Sequence, residues 1–383
     1  MLKLPPLSLY IHFPWCVKKC PYCDFNSHTI QNTIPGKEYT DALIQDLESH
    51  LPDIQGREII SIFMGGGTPS AFPTKEMARL FEYIFKNIKL SEKVEITIEA
   101  NPGTIEHGNF LDYKNMGINR VSLGVQSFQN DKLKALGRIH NDTQVEQSIN
   151  LLTQAGFNNF NIDLMHGLPN QNLEDALFDL QSAINFKPTH LSWYQLTLEP
   201  NTPFHNNPPA LPDEDALFDI ETEGKQLIAS AGFNQYEVSA YSKSIETRAQ
   251  HNLNYWQFGD YIGIGAGAHG KLTDIKTGII TRIWKYRHPE RYLSKPDFIR
   301  GMEGIMHQDL PYEFMLNALR LNDGFKINQF ENYTGLPIQT IQPQIDLAIE
   351  KNMLKQEKGR IYPSLFGQRY LNDLIDIFSP GQG

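Results

Sequence analysis

Up to residue 242, short runs rich in aromatic and β-branched residues alternate with stretches whose apolar positions recur at helical spacing. Strands are predicted at 7–13 (LSLYIHF), 59–67 (IISIFMGGG), 94–102 (VEITIEANP), 120–128 (RVSLGVQSF), 160–169 (FNIDLMHGLP) and 190–200 (HLSWYQLTLEP). A further strand is predicted at 236–242 (YEVSAYS). Helical spacing falls at 37–51, at 75–88, in a stretch ending near Met116 and, last in the series, at 213–232. Such alternation implies parallel strands joined by right-handed crossovers, hence an α/β fold, either a barrel or an open doubly wound sheet.

In either architecture, ligand chemistry gathers at the carboxyl ends of the strands. The unusual residues of this chain fall there. A cysteine loop follows the first strand, GGGTP follows the second, Glu99 ends the third, Gln126 ends the fourth and Asp163 lies in the fifth.

Near residue 250 the pattern changes to HNLNYWQFGDYIGIGAGAHG, which mixes aromatics, histidines and glycines. Within it, GIGAGAHG at 263–270 reads as a close-packed backbone turn. Beyond residue 300 come three helical stretches, a short hairpin around Gly359 and a last amphipathic helix near 365–378, a winged-helix-like order. The predicted division is 1–245 for the α/β barrel, 246–300 for a connecting segment and 301–383 for a mostly helical domain. Acidic residues slightly outnumber basic ones in that last domain, which favours packing or substrate cover over DNA binding.

Composition narrows the classes. The 383 residues suffice for a large core and two domains. A net charge of -10 argues against a broad nucleic-acid footprint. The apolar N-terminus is broken by Pro5, Pro6 and Pro14, and no uncharged run reaches the roughly 18 residues of a membrane span. A soluble cytoplasmic protein is expected. Peripheral membrane contact is left to the last helix, although Asp373 and Asp376 on its polar side favour docking onto the protein's own core.

All three cysteines, Cys16, Cys20 and Cys23, sit in one loop with the spacing C-x3-C-x2-C. Three local thiols make no disulfide framework and suggest metal. A structural zinc site would need a fourth ligand, such as His12 or His28. A [4Fe–4S] cluster held by three thiolates would keep one iron without a protein ligand, and an open iron can bind substrate. The spacing alone admits both.

The cysteine loop after the first strand, with Tyr22 just before its third cysteine and Gly65, Gly66 and Gly67 ending the next strand, resembles the radical S-adenosylmethionine (SAM) superfamily. The resemblance implies a partial (β/α)6 barrel with a [4Fe–4S] cluster on Cys16, Cys20 and Cys23. In that family the amino and carboxylate groups of SAM chelate the open iron, and an electron from the cluster breaks the sulfonium C–S bond. The glycine run is, by the same resemblance, the segment that holds the amino group.

The strings YIHFPWCVKKCPYCDF, GGGTPS, EANPGT, GVQSF, LGRIH and DLMHGLP resemble one branch of that superfamily, from Leu7 into the C-terminal domain. This branch contains the oxygen-independent coproporphyrinogen III oxidases and the HemW-type haem chaperones. It implies that Tyr10, Gly66, Gly67, Thr68, Glu99, Gln126, Arg138 and Asp163 line the SAM site, and that the last domain is of the HemN C-terminal type.

Two features lean toward the chaperones. The oxidase pattern carries a further cysteine two residues after the third, where this chain has Phe25, and an extension ahead of the barrel, whereas this chain starts almost at the first strand. The string HNLNYW, with His251, Asn252, Tyr255 and Trp256, resembles the chaperones' haem-associated motif; His269 is a second imidazole candidate. The resemblance thus implies haem as cargo, haem-receiving apoproteins such as respiratory haem enzymes as partners, and an electron donor such as a flavodoxin if the cluster is reduced. Oxidative decarboxylation of coproporphyrinogen III to protoporphyrinogen IX stands as the alternative, and a zinc-stabilised barrel as a third.

Overall fold

Strand β1, Leu7–Phe13, buries six of its seven residues, as a strand covered on both faces should. The computed structural model describes residues 2–103, 107–295 and 297–380. From β1 the parallel series continues through β2 (Ile59–Gly66), β3 (Leu90–Ala100), β4 (Arg120–Gln126), β5 (Phe160–His166) and β6 (His190–Gln195), each paired with its predecessor. The spatial order of these six is their sequence order, without reversal. Right-handed crossovers then place every connecting helix on one face, so the sheet curls as part of a barrel rather than as a doubly wound sheet. The partial α/β barrel expected from the sequence is thus present.

The crossover helices follow from patterning and caps. Thr74–Asn87 buries Met77, Leu80, Phe81 and Ile84, one stripe at i, i+3, i+4 and i+7. Asp142–Gln154 and Leu173–Asn185 each start with a reciprocal capping box, Asn141 with Gln144 and Asn172 with Asp175.

Two parts of the sheet differ from the sequence expectation. The strand expected at 236–242 is a hairpin, β7 (Asn234–Gln235) and β8 (Ala240–Ser242), and β8 runs antiparallel to β6. The short link from β7 to β8 can only close a hairpin, whereas the antiparallel pairing of β8 with β6, across the long helical connection 196–239, does not follow from loop length. Residues 246–300, expected to connect, supply most of four strands: β9 (Asp260–Ile264), β10 (His269–Thr273), β11 (Ile280–Lys285) and β12 (Ile299–Gly304). β9 is parallel to β1 on the side away from β2, and β10 to β12 extend the sheet antiparallel.

Beyond residue 305 the helices Leu310–Ala318, Ile327–Thr334 and Gln342–Glu350 precede a hairpin of Leu354–Glu357 with Arg360–Pro363, which matches the predicted order. The predicted last helix is two short ones, Leu365–Arg369 and Leu371–Asp376, broken at Tyr370. Phe314 centres the apolar core of this region, its ring 5.2 Å from Phe330, 5.0 Å from Phe325 and 5.4 Å from Phe258. Among the described residues, no helix is long and apolar enough to cross a membrane.

Candidate functional site

Along β1 to β6 alternate residues are apolar and face the helices. The intervening ones, including Ser8, Ser61, Glu95, Thr97, Glu99, Arg120, Ser122, Asn161, Asp163, His190 and Ser192, are polar. Period two in a strand means one face each, so the concave side of the sheet is polar. Hydrogen bonds tie that face together: Ser8 to Ser61 at 2.7 Å, Asn161 Nδ2 to Asp163 at 2.7 Å, Ser122 to Asp163 at 2.9 Å and His190 Nδ1 with Asn161 Oδ1 at 2.7 Å.

The cysteine loop closes one end of this interior. A short ladder of Trp15–Cys16 with His28–Thr29 holds its base. Lys19 Nζ donates to the Phe25 carbonyl at 3.0 Å and to the Ser27 carbonyl at 3.4 Å. Asn26 Nδ2 donates to the carbonyls of Ala266 and Arg287, each at 2.9 Å. Cys16 is buried, Cys20 and Cys23 are half-buried, and all three thiols are free. Burial pushes the Cys16 and Cys23 thiols up from their ordinary values.

The zinc reading asks for a fourth ligand beside the cysteines. Among the described residues, no group of three or more His, Cys, Asp or Glu is placed to hold a single metal ion. His12, one proposed fourth ligand, has both ring nitrogens engaged, Nδ1 with the Tyr10 hydroxyl at 2.9 Å and Nε2 with the Asn26 carbonyl at 2.8 Å. A four-iron cluster asks less convergence, because each thiolate takes a different iron.

One cavity of about 430 Å³ brings together Cys16, Cys20 and Cys23 with Tyr22, Gly66, Gly67, Thr68, Glu99, Gln126, Arg138 and Asp163. Its volume lies within the usual range of small-molecule sites. The glycines form an edge where backbone must come close. A Cβ on Gly66, which has φ +112°, would lie 2.4 Å from the His12 ring, and one on Gly67 would lie 2.4 Å from the Trp15 carbonyl oxygen. The Gly66 N–H donates to Glu99 Oε2 at 3.2 Å.

The titratable groups here are perturbed. Burial, with Asp163 nearby, pushes the Glu99 carboxyl up to about 7. Burial also raises Asp163, against the hydrogen bonds from Ser122, Ser192 and Asn161. Arg138 donates from Nη2 to Asn101 Oδ1 at 2.5 Å and to the Gly124 carbonyl at 2.6 Å, while Nη1 lies 3.8 Å from Cys20 Sγ. Its buried Nε has no partner among the described residues. Gln126 holds φ +70° at a bulge in β4, an uncommon conformation for a side-chain-bearing residue, and its Oε1 accepts from the Tyr194 hydroxyl at 2.8 Å.

The HNLNYW string forms the short helix Gln250–Trp256, set into the barrel. Its first N–H groups, of Gln250 and His251, donate to the Glu95 carboxylate at 3.1 and 3.2 Å. The helix divides its residues by face. Asn252 and Trp256, four apart, line the cysteine cavity, whereas His251 and Tyr255 turn away from it. His251 is 1 % exposed, and its Nδ1 meets Ser61 Oγ at 3.0 Å while its Nε2 meets the Tyr255 hydroxyl at 3.0 Å. Burial, with Arg120 nearby, drives its pKa down to about 3.

Tyr10 and Gly65, expected in the SAM site, are not on the cavity wall. Tyr10 lines two adjoining cavities, and Gly65 lies behind the edge with Phe63 and Glu99. Conversely Asn101, Ser122, Gly124, Ser192 and Tyr194 line the cysteine cavity and were not anticipated. The period-two polarity of β4 to β6 is the signal that would have found Ser122, Gly124, Ser192 and Tyr194; Asn101, in the turn after β3, has no such mark.

Comparison with known proteins agrees with this geometry. The chain matches the Radical SAM superfamily over residues 10–181 and the HemN C-terminal domain over residues 305–370. It is 50 % identical over 382 residues to the Heme chaperone HemW of Haemophilus influenzae, spanning 99 % of both chains. Identity to the Heme chaperone HemW of Escherichia coli is 48 % over 378 residues, again 99 % of both. The Bacillus subtilis Heme chaperone HemW is 30 % identical over 382 residues, 97 % of this chain and 98 % of that one. Among solved structures, coproporphyrinogen III oxidase (HemN) from Escherichia coli, described as a radical SAM enzyme, has a TM-score of 0.82 at 20 % identity, covering 98 % of this chain and 91 % of its own. At that identity the likeness is one of fold. The chain belongs to the radical SAM superfamily and, within it, to the HemW haem chaperone family.

Proposed function

We propose that the chain binds haem and passes it to apoproteins such as respiratory haem enzymes, on a scaffold that also carries a [4Fe–4S] cluster and SAM. The observation that carries this reading is the 50 % identity, over 99 % of both chains, to a haem chaperone. Cys16, Cys20 and Cys23 would hold the cluster, with Tyr22 beside them. When bound, the cluster supplies an electron to the SAM sulfonium. The edge formed by Gly66, Gly67 and Thr68 would hold the SAM amino group on backbone atoms. Arg138 would offer its guanidinium to the carboxylate, and Glu99 and Asp163 would serve ribose hydroxyls or the ammonium. Gln126, held by Tyr194, closes the far wall.

Val17, Lys18 and Lys19 are exposed beside the cysteines, a docking face for an acidic electron donor such as a flavodoxin. Three free thiols suit a reducing compartment, the cytoplasm. At Phe25 a half-exposed phenyl ring stands where the oxidase pattern carries a thiol, which speaks against coproporphyrinogen decarboxylation.

The test uses anaerobically reconstituted protein. It should contain about four irons and four sulfides per chain, bind haem at one equivalent in an absorbance titration, and form no protoporphyrinogen from coproporphyrinogen III with SAM and a reductant. Decarboxylation on that sample, or a failure to take up haem, would overturn the carrier reading.

A further inference from the structure

Across Phe25 from the cysteines lies a second cavity, of about 580 Å³. Phe25, Gly66 and Glu99 border both, so a thin partition separates them. The two are chemically unlike. The second is lined by aromatic side chains, among them Phe25, Tyr255, Tyr261 and Trp284, with the Tyr255 and Tyr261 rings edge-to-face at 4.4 Å.

Two arginines, Arg287 and Arg300, stand on this wall, exposed and without an ion pair among the described residues. The neighbouring Lys285 is committed elsewhere, to Asp46 and His50. In a chain of net charge -10, two guanidinium groups without an ion pair at one aromatic cavity suit a flat ligand that carries carboxylates.

The imidazoles nearby differ in what they have left to give. His12 and His251 use both ring nitrogens in hydrogen bonds. His269, the first residue of β10 and paired in register with Trp284 on β11, lines the cavity, and no hydrogen bond to its ring is present among the described residues. His269 is exposed as a whole, and desolvation on its cavity side, with Arg282 and Arg287 nearby, lowers its pKa. A neutral imidazole with a free nitrogen is the form that binds iron.

We infer that this aromatic cavity is the seat of the haem, with His269 on the iron and Arg287 and Arg300 on the propionates. This rests on the reading that the chain carries haem. Within it, His251 is a positioning residue: it holds the Tyr255 hydroxyl, and Tyr255 lines the cavity. Phe25 takes a place as the wall between the haem and the cysteine cavity.

The test is an absorbance titration of the full-length chain with haemin, with electron paramagnetic resonance of the bound form. His269→Ala should lose the histidine-ligated signal and weaken binding about tenfold or more, and free imidazole should restore the signal. The double variant Arg287→Gln/Arg300→Gln should weaken haemin binding about tenfold while leaving haemin dimethyl ester, which lacks the carboxylates, unaffected. A His269→Ala protein of unchanged melting temperature with the wild-type signal and affinity would overturn this site and leave the carrier reading standing. A wild-type chain that binds no haemin would overturn both.

Discussion

Beyond residue 305 the buried polar residues among those described are Thr334 and Ser364, and everything else buried there is apolar or glycine-like packing around Phe314. Inside the barrel, Glu95, Arg120, Asn161, His190 and His251 are all buried, and Glu99 and Asp163 face the cavity beside them. Burying polar and charged groups costs free energy that apolar packing would not. The C-terminal region therefore devotes its interior to stability. The barrel keeps a polar interior because that interior has a second task, positioning what it binds.

Substitutions should separate the two tasks. The largest effect is expected from Cys20→Ala, which should abolish the iron–sulfur absorbance after reconstitution while moving the unfolding free energy by less than about 1 kcal/mol. Unfolding of that variant would break the distinction. Phe314→Ala should do the reverse, costing about 3–5 kcal/mol in a denaturant titration of the protein without cluster, with SAM-site residues untouched.

Glu99 tests the barrel from another side. Its carboxyl moves from 4.5 to about 7 in the folded chain. The folded state thus holds this proton more tightly than the unfolded one. The stability from it is complete below pH 4.5 and drains away as pH rises to about 7. Up to about 3 kcal/mol is at stake, an upper figure because the cavity admits water. In SAM-free protein, Glu99→Gln should flatten this slope between pH 4.5 and 7; an unchanged slope would assign it to other groups. Smallest of all is Leu365→Ser. The side chain is 84 % exposed, and its replacement should shift stability by no more than about 0.5 kcal/mol.

Much of this was legible beforehand. The six parallel strands announced themselves through apolar runs, and the cysteine spacing marked the loop that borders the cavity without any tertiary information. The strands at 269–304 were harder to see. They are antiparallel additions at the sheet edge, with pairing partners set by β9 and β1 rather than by their own pattern. His251 shows what local sequence leaves out. Its residue type suggested a ligand, but only the fold reveals that Ser61 and Tyr255 take both ring nitrogens. Arg138 lies outside any strand, and nothing local tells that its guanidinium reaches Gly124 and Cys20.

The side-chain amide of Asn26 grips carbonyls of Ala266 and Arg287, partners 240 and 261 residues downstream. Domains ordinarily take shape from the N-terminus as synthesis proceeds. Here the thiol-bearing loop emerges early from the ribosome, yet it gains both Asn26 ties only after residue 287 has been made. A chain cut short before that point keeps the local ladder at the base of the loop but lacks the two long-range ties that fix the loop against the rest of the sheet.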